Sequence, residues 1–265
     1  MFAGLESNAP EPLRLAGVVA GFALAVWLAR RDRLPLERFY LATVYALGAA
    51  VGGAKLAVLA EHWGEAPAAE LVPRVLLTGA GSSFGALAAA ILAGFIVVPL
   101  LGLPFWRTAD VFAPALAIGL AFARVGCFLG GCCYGTSCVW PWGVEVPLEA
   151  SLRSAAPLGV PLHPVQLYET ALCAALAVSL VVLVRRGLRP GTAFAVFLTS
   201  YGAARFVLEL WRGDHAPGFS SAQAWSLAAV AAGLAVIAVT RGRKDEDAEV
   251  ALLSGAVALT IEERS

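Results

Sequence analysis

Charge is scarce in this 265-residue chain: Asp, Glu, Lys and Arg make up 14% of it. A soluble domain carries roughly 25%. With 59% hydrophobic residues and a mean hydropathy of +0.77, a soluble fold is excluded. Net charge is lacking as well, because 19 Lys and Arg offset 19 Asp and Glu. That balance leaves no basic footprint for nucleic acid. The start of the chain lacks the basic n-region of a secretory signal peptide. Glu6 and Glu11 precede its first apolar run, and Arg30, Arg31 and Arg33 follow it where a small-residue cleavage site would stand. The run is therefore read as a retained span. Residues 221–240 contain no lysine, which excludes a retinal Schiff base on the last span. No repeat of fixed period and no stretch of soluble-domain composition interrupts the pattern.

What the chain does have is apolar runs. They predict helices at residues 14–30, 38–60, 82–102, 109–130, 164–184, 190–211 and 221–240, each near the ~20 residues that cross a bilayer. Arginines and lysines are placed unevenly between them. Arg30, Arg31, Arg33 and Arg38, then Arg107, then Arg185, Arg186 and Arg189, then Arg241, Arg243 and Lys244 fall on one side. Arg14, Arg74, Arg153 and Arg212 fall on the other. The richer side is cytoplasmic by the positive-inside rule. The expected fold is an all-α polytopic membrane protein with seven transmembrane helices, N-terminus out and C-terminus cytoplasmic. Residues 1–244 form that domain. Residues 131–163, rich in proline and carrying Trp140 and Trp142, form an outer cap, and residues 245–265 a cytoplasmic tail.

Three cations fall inside the predicted spans: Lys55, Arg124 and Arg205. A charge at mid-membrane costs about 2.5–3.5 kcal/mol on insertion scales, so such residues usually face a cavity or a carboxylate. Snorkelling to the headgroups is the bland alternative. In "YGAARFVLELWR" the residues Tyr201, Arg205, Glu209 and Arg212 recur at i, i+4, i+8 and i+11, which is one helical face. Arg205 and Glu209 neutralise each other on that face, and the longer stripe suggests a lined cavity. "HPVQLYE" opens the fifth span, with His163 as cap before Pro164 and Gln166 and Glu169 following. "SSAQAWSLA" opens the seventh, with Ser220 or Ser221 as cap and Gln223 and Ser226 beyond. These features meet at the outer ends of the last four spans. Guanidinium groups bind phosphate in bidentate fashion, so the expected ligand is an anionic phospholipid headgroup.

The stretch "ARVGCFLGGCCYGTSC" holds Cys127, Cys132, Cys133 and Cys138, four of the five cysteines. Its C-x4-C-C-x4-C spacing is not a usual zinc pattern, and no metal is expected. The cluster is read on the oxidising side, where disulfides persist. Disulfides among the four, packing around tight glycines, and a cysteine that accepts the lipid first all stay open.

The same residues resemble the prolipoprotein diacylglyceryl transferases. "ADVFAPALAIGLAFARVGCFLGGCCYG" is similar to that family's signature, with Arg124, Gly126 and Gly135 in place. "HPVQLYE", "YGAARFVLELWR" and "SAQAWSLA" follow in register, and "GGAKLAVL" carries Lys55 where the family usually has arginine. The resemblance implies a bacterial inner-membrane enzyme with its active site toward the outer leaflet. It moves the diacylglyceryl group of phosphatidylglycerol to the lipobox cysteine of exported preprolipoproteins, without a cofactor. It implies that Arg124 and Arg205 hold the phosphate and that Glu209 orients Arg205. His163 is a candidate base, and Tyr201, Arg212, Gln166, Glu169, Gly126, Gly135 and Lys55 contact substrate. The departures are Cys127 and Cys132 in place of Asn and Glu, Phe84 in place of a histidine, and a first span without its tyrosine. They leave a second reading open: a relative that binds anionic phospholipid or a lipobox peptide without catalysis, or that serves another acceptor.

Overall fold

The computed structural model describes residues 11–63, 67–77, 83–214 and 218–240. The charged tail expected at 245–265 lies outside the described residues. The chain is helical: α1 (Glu11–Arg31), α2 (Leu36–Glu61), α3 (Ala68–Leu77), α4 (Ser83–Leu100), α5 (Phe105–Leu129), α6 (Leu148–Ser154), α7 (Val165–Arg185) and α8 (Thr192–Leu208). A 3-10 turn, Glu209–Trp211, extends α8, and α9 is Ser221–Thr240. The helices α2, α5, α7, α8 with its extension, and α9 are five that are long and apolar enough to cross a membrane. In α4 the apolar part is shorter, Ala88–Leu100.

Two helices were not expected from the apolar pattern. The short α3 lies between α2 and α4, burying Leu71 and Val75 against Val58. The seven-residue α6 sits inside the proline-rich 131–163 segment. Periods of about 20 apolar residues reveal spans but are blind to helices that lie across them.

Packing follows small residues. α5 lies against α1, α7 and α8, while α2 and α4 form a second close pair. In the α5–α7–α8 contact, Ala113, Ala117, Ala177 and Ala193 are buried among Leu176, Leu180 and Phe197. Alanines let membrane helices approach closely, where packing rather than hydrophobicity drives association.

One polar residue inside this packing was passed over in the sequence. Asp110, in the second turn of α5, is buried. Its Oδ2 accepts a hydrogen bond from the Gly191 N–H at 2.6 Å, and its Oδ1 one from the Phe194 N–H at 2.8 Å. Gly191 is the N-cap of α8 and has no side chain to cap with, so α5 supplies the cap across the bundle. The first N–H groups of a helix have no intrahelical acceptor, and a carboxylate there also meets the positive end of the helix dipole.

The segment after α5 is tied down by backbone pairing. Gly135 pairs with Arg212, and Leu162 with both Ser137 and Val144, in isolated antiparallel bridges. Gly135 N donates to His163 O at 3.1 Å, and Thr136 N to Trp211 O at 2.8 Å. A side chain at Gly135 would collide with the backbone of His163. The absence of a side chain at Gly135 is what lets these two segments cross. Trp140 and Trp142 stack face to face at 5.3 Å on the exposed side of this segment.

Replacing Asp110 with alanine leaves two buried N–H groups without an acceptor, each costing about 1–3 kcal/mol. Thermal unfolding in detergent should show D110A clearly destabilised and D110N, which keeps one acceptor, less so.

Candidate active site

The site grows from the end of the bundle where α5, α7 and α8 meet the 209–214 turn. Its centre is Glu169, one turn into α7 and 2% exposed. Glu169 Oε1 accepts from Arg124 Nε of α5 at 2.9 Å and from the Tyr201 hydroxyl of α8 at 2.8 Å. Arg205 Nε lies 4.0 Å from the same oxygen. Arg124 therefore turns inward to a carboxylate and does not snorkel. Tyr201 is held flat by Phe197, stacked one turn before it at 5.8 Å.

A second carboxylate continues the chain of charges. Glu209 is buried; its Oε2 pairs with Arg205 Nη1 and stands 3.9 Å from Arg212 Nη1. Ser220 Oγ donates to Glu209 Oε1 at 2.8 Å. Ser220 also resolves the capping of α9. Gln223 N donates to Ser220 Oγ at 3.1 Å, and Ser220 N to Gln223 Oε1 at 3.0 Å, a reciprocal capping box. Arg212 makes a two-pronged contact with Asp214, Nε to Oδ1 at 2.7 Å and Nη2 to Oδ2 at 2.7 Å. Burial works against the Arg212 charge, and the Asp214 fork with Glu209 more than offsets it, so its pKa is raised.

The expected stripe on one helical face is thus real as far as Glu209 and broken after it. α8 gives way to a 3-10 turn at Glu209, and Arg212 is already extended, at φ −70° and ψ 132°. The cause is the ladder: Arg212 pairs by its backbone with Gly135, which a continuing helix would forbid.

Other expected residues fall around this chain or away from it. Gly126 is buried in α5. Gln166 Nε2 donates to the Cys132 carbonyl at 2.8 Å, while its buried Oε1 has no partner among the described residues. His163 does not cap α7; Pro164 holds the N-cap position, with no side-chain cap. The His163 ring instead meets the Tyr168 hydroxyl through Nδ1 at 3.2 Å. It lines a largely apolar cavity of 180 Å³ with Gln166, Tyr134, Val144 and Glu145. Lys55 donates to the Val75 carbonyl of α3 at 2.9 Å, on the α2 side of the molecule. Phe84 is in the first turn of α4.

Disulfides among Cys127, Cys132, Cys133 and Cys138 were one of the readings left open, and in this structure all five cysteines are free thiols. Cys138 turns its Sγ to the Trp140 carbonyl at 3.9 Å. The Sγ atoms of Cys127, Cys132 and Cys133 all lie within 4.8 Å of one another. The chain reverses at Gly131, φ +72°, and Cys133 follows at φ +62°, a left-handed conformation uncommon outside glycine.

Among the described residues, then, a membrane-type helix bundle carries a buried row of arginines and carboxylates beside a three-thiol cluster. The chain belongs to the prolipoprotein diacylglyceryl transferase family, whose sequence model matches residues 13–239. It is similar to the phosphatidylglycerol–prolipoprotein diacylglyceryl transferase of Clostridium tetani, 33% identical over 138 residues, covering 51% of this chain and 54% of that protein. The protein of that name from Agrobacterium fabrum is 30% identical over 211 residues, covering 75% and 72%. The one from Trichormus variabilis is 28% identical over 237 residues, covering 86% and 83%.

Removing one partner of a buried ion pair costs about 3–5 kcal/mol, because the other charge is left uncompensated. Glu169→Gln should lose stability on that scale. Adding Arg124→Gln to it should recover part of the loss, and a thermal-unfolding double-mutant cycle in detergent reads the coupling directly.

Proposed function

We propose that this chain transfers the diacylglyceryl group of phosphatidylglycerol to the lipobox cysteine thiol of prolipoproteins, releasing glycerol phosphate. It works from a bacterial inner membrane as a seven-span protein, N-terminus out, with the arginine row at the outer leaflet. The observation that carries this reading is the convergence of Arg124, Arg205 and Arg212 on two buried carboxylates at one end of the bundle.

The acceptor sulfur attacks the glyceryl C3 carbon, and the C3–O bond breaks with its electron pair going to the phosphate oxygen. Charge grows on the leaving phosphate and little changes at carbon. Cations fixed in advance beside that oxygen therefore bind the transition state better than the ground state. Arg124 and Arg205 fill this role, held by Glu169 and Glu209 so that no side chain must reorganise during the step. Arg124, Arg205 and Arg212 outnumber Glu169 and Glu209, and the surplus charge is the one Asp214 covers. Asp214 is the more exposed partner of its pair, so a headgroup phosphate competes with it for the Arg212 fork.

Cells depleted of their own transferase and supplied with this chain test the reading. Thioether lipidation of a reporter prolipoprotein should return with the wild type. Arg124→Ala or Arg205→Ala should lower the rate by about 10²–10³, the usual cost of one preorganised donor. Full transfer by Arg124→Ala would remove that residue from the mechanism. Wild type that binds lipid yet restores nothing would favour the non-catalytic relative. Asp214→Asn weakens the competitor for Arg212, so the KM for phosphatidylglycerol should fall while kcat stays near wild type.

A further inference from the structure

The reaction leaves one need unmet. A thiol with a pKa near 8.5 is only a few per cent thiolate at neutral pH, so the acceptor proton needs somewhere to go. Glu169 and Glu209 are each engaged by arginines. His163 is turned to Tyr168. At the same end of the bundle lies the cluster of Cys127, Cys132 and Cys133.

Its geometry suits an ion. Zinc–sulfur bonds of about 2.3 Å in tetrahedral array set sulfur–sulfur edges of about 3.8 Å. Sulfurs already within 4.8 Å of one another need close by no more than about 1 Å. Thiolates select thiophilic cations such as zinc. The frame is fixed on every side. Cys127 sits in the last turn of α5. The Cys132 carbonyl is held by Gln166 of α7; the Cys132 thiol, which donates to the Cys127 carbonyl at 3.7 Å, releases that proton to solvent on binding the ion, as the other two thiols do. Cys133 keeps its left-handed backbone between the Gly131 reversal and the ladder at Tyr134–Thr136. Outer contacts of this kind orient metal ligands. A disulfide between the adjacent Cys132 and Cys133 fits less well, because neighbouring Cα atoms are about 3.8 Å apart, short of the usual 4.4–6.8 Å.

Three protein ligands leave a fourth position for water or substrate, the mark of catalytic rather than structural zinc. All three cysteines are only half-buried, so that position is reachable. It is also close to Arg124, since Cys127 follows that residue by one helical turn of α5.

We propose that Cys127, Cys132 and Cys133 bind one Zn²⁺ whose fourth position takes the acceptor cysteine as a thiolate. The role assigned to that fourth ligand rests on the transferase reading above. The acceptor thiol displaces a bound water and its proton leaves to solvent, since a coordinating thiol is deprotonated outright. The metal-held sulfur then attacks C3 as described, and the thioether product, a poorer ligand, dissociates in favour of water. No electrons change hands.

Zinc X-ray absorption on the full chain in lipid nanodiscs, purified under reductant and loaded with Zn²⁺ alone, gives the first test. The expected result is one zinc per chain with three sulfurs. A synthetic lipobox peptide should raise the count to four, and the same peptide with serine for its cysteine should leave it at three. Fewer than three sulfurs overturns the site, and an unchanged count with the cysteine peptide overturns the open position. Cys127→Ser, Cys132→Ser and Cys133→Ser should each weaken zinc binding beyond the roughly 10–100-fold cost of an outer-shell loss. Undiminished zinc binding by the triple serine variant would also overturn the site. These readouts need no lipid turnover. Four sulfurs without any transfer would reject the transferase reading and leave the zinc site standing.

Discussion

Everything at the functional end of this molecule depends on one buried carboxylate. Glu169 sits where three helices cross, and a single oxygen of it meets Arg124, Tyr201 and Arg205. Without it, two guanidinium groups would face each other inside an apolar bundle. With it, their side chains are fixed while their remaining N–H groups stay available. The proposed phosphate binding draws on this arrangement: cations near enough to act together, restrained by a countercharge that does not use up all their donors. Glu209 repeats the device one step further along, between Arg205 and Arg212.

The helices that carry these groups are held by less conspicuous means. Asp110 caps α8 from a neighbouring helix, at the far end from Tyr201 and Arg205. Small residues bring α5, α7 and α8 close enough for Arg124 to reach Glu169. Ser220 caps α9 and bonds Glu209 in the same gesture, so the start of the last helix and the second carboxylate are positioned together. Local capping and site geometry are one network here.

What the sequence made legible was whatever is periodic within one helix. The Arg205–Glu209 pair was readable because i and i+4 face the same way, and the helix positions were readable from apolar length. Glu169 entered as a substrate contact implied by resemblance, not as the centre of the charge network, because that place comes from two other helices that no local pattern names. Asp110 was missed for the same reason. The meeting of three cysteines was not legible in their spacing: a count along the chain cannot show that Gly131 folds Cys132 and Cys133 back onto Cys127. Arg212 fell off the helical stripe because a backbone bridge to Gly135, 77 residues away by the numbering, claimed it first.

That bridge has a consequence for how anything enters. The segments around Gly135, Leu162 and Arg212 are cross-stitched through their backbones, and the Gly135 crossing leaves no room for slack. Such a seam does not hinge open like a lid, since opening one strand means breaking its bonds to the next. The flanks of the bundle are different: there, helices touch through side chains alone, and α2 with α4 contacts the remaining helices only sparsely. Parting helices at the flank therefore breaks fewer backbone bonds than parting the seam.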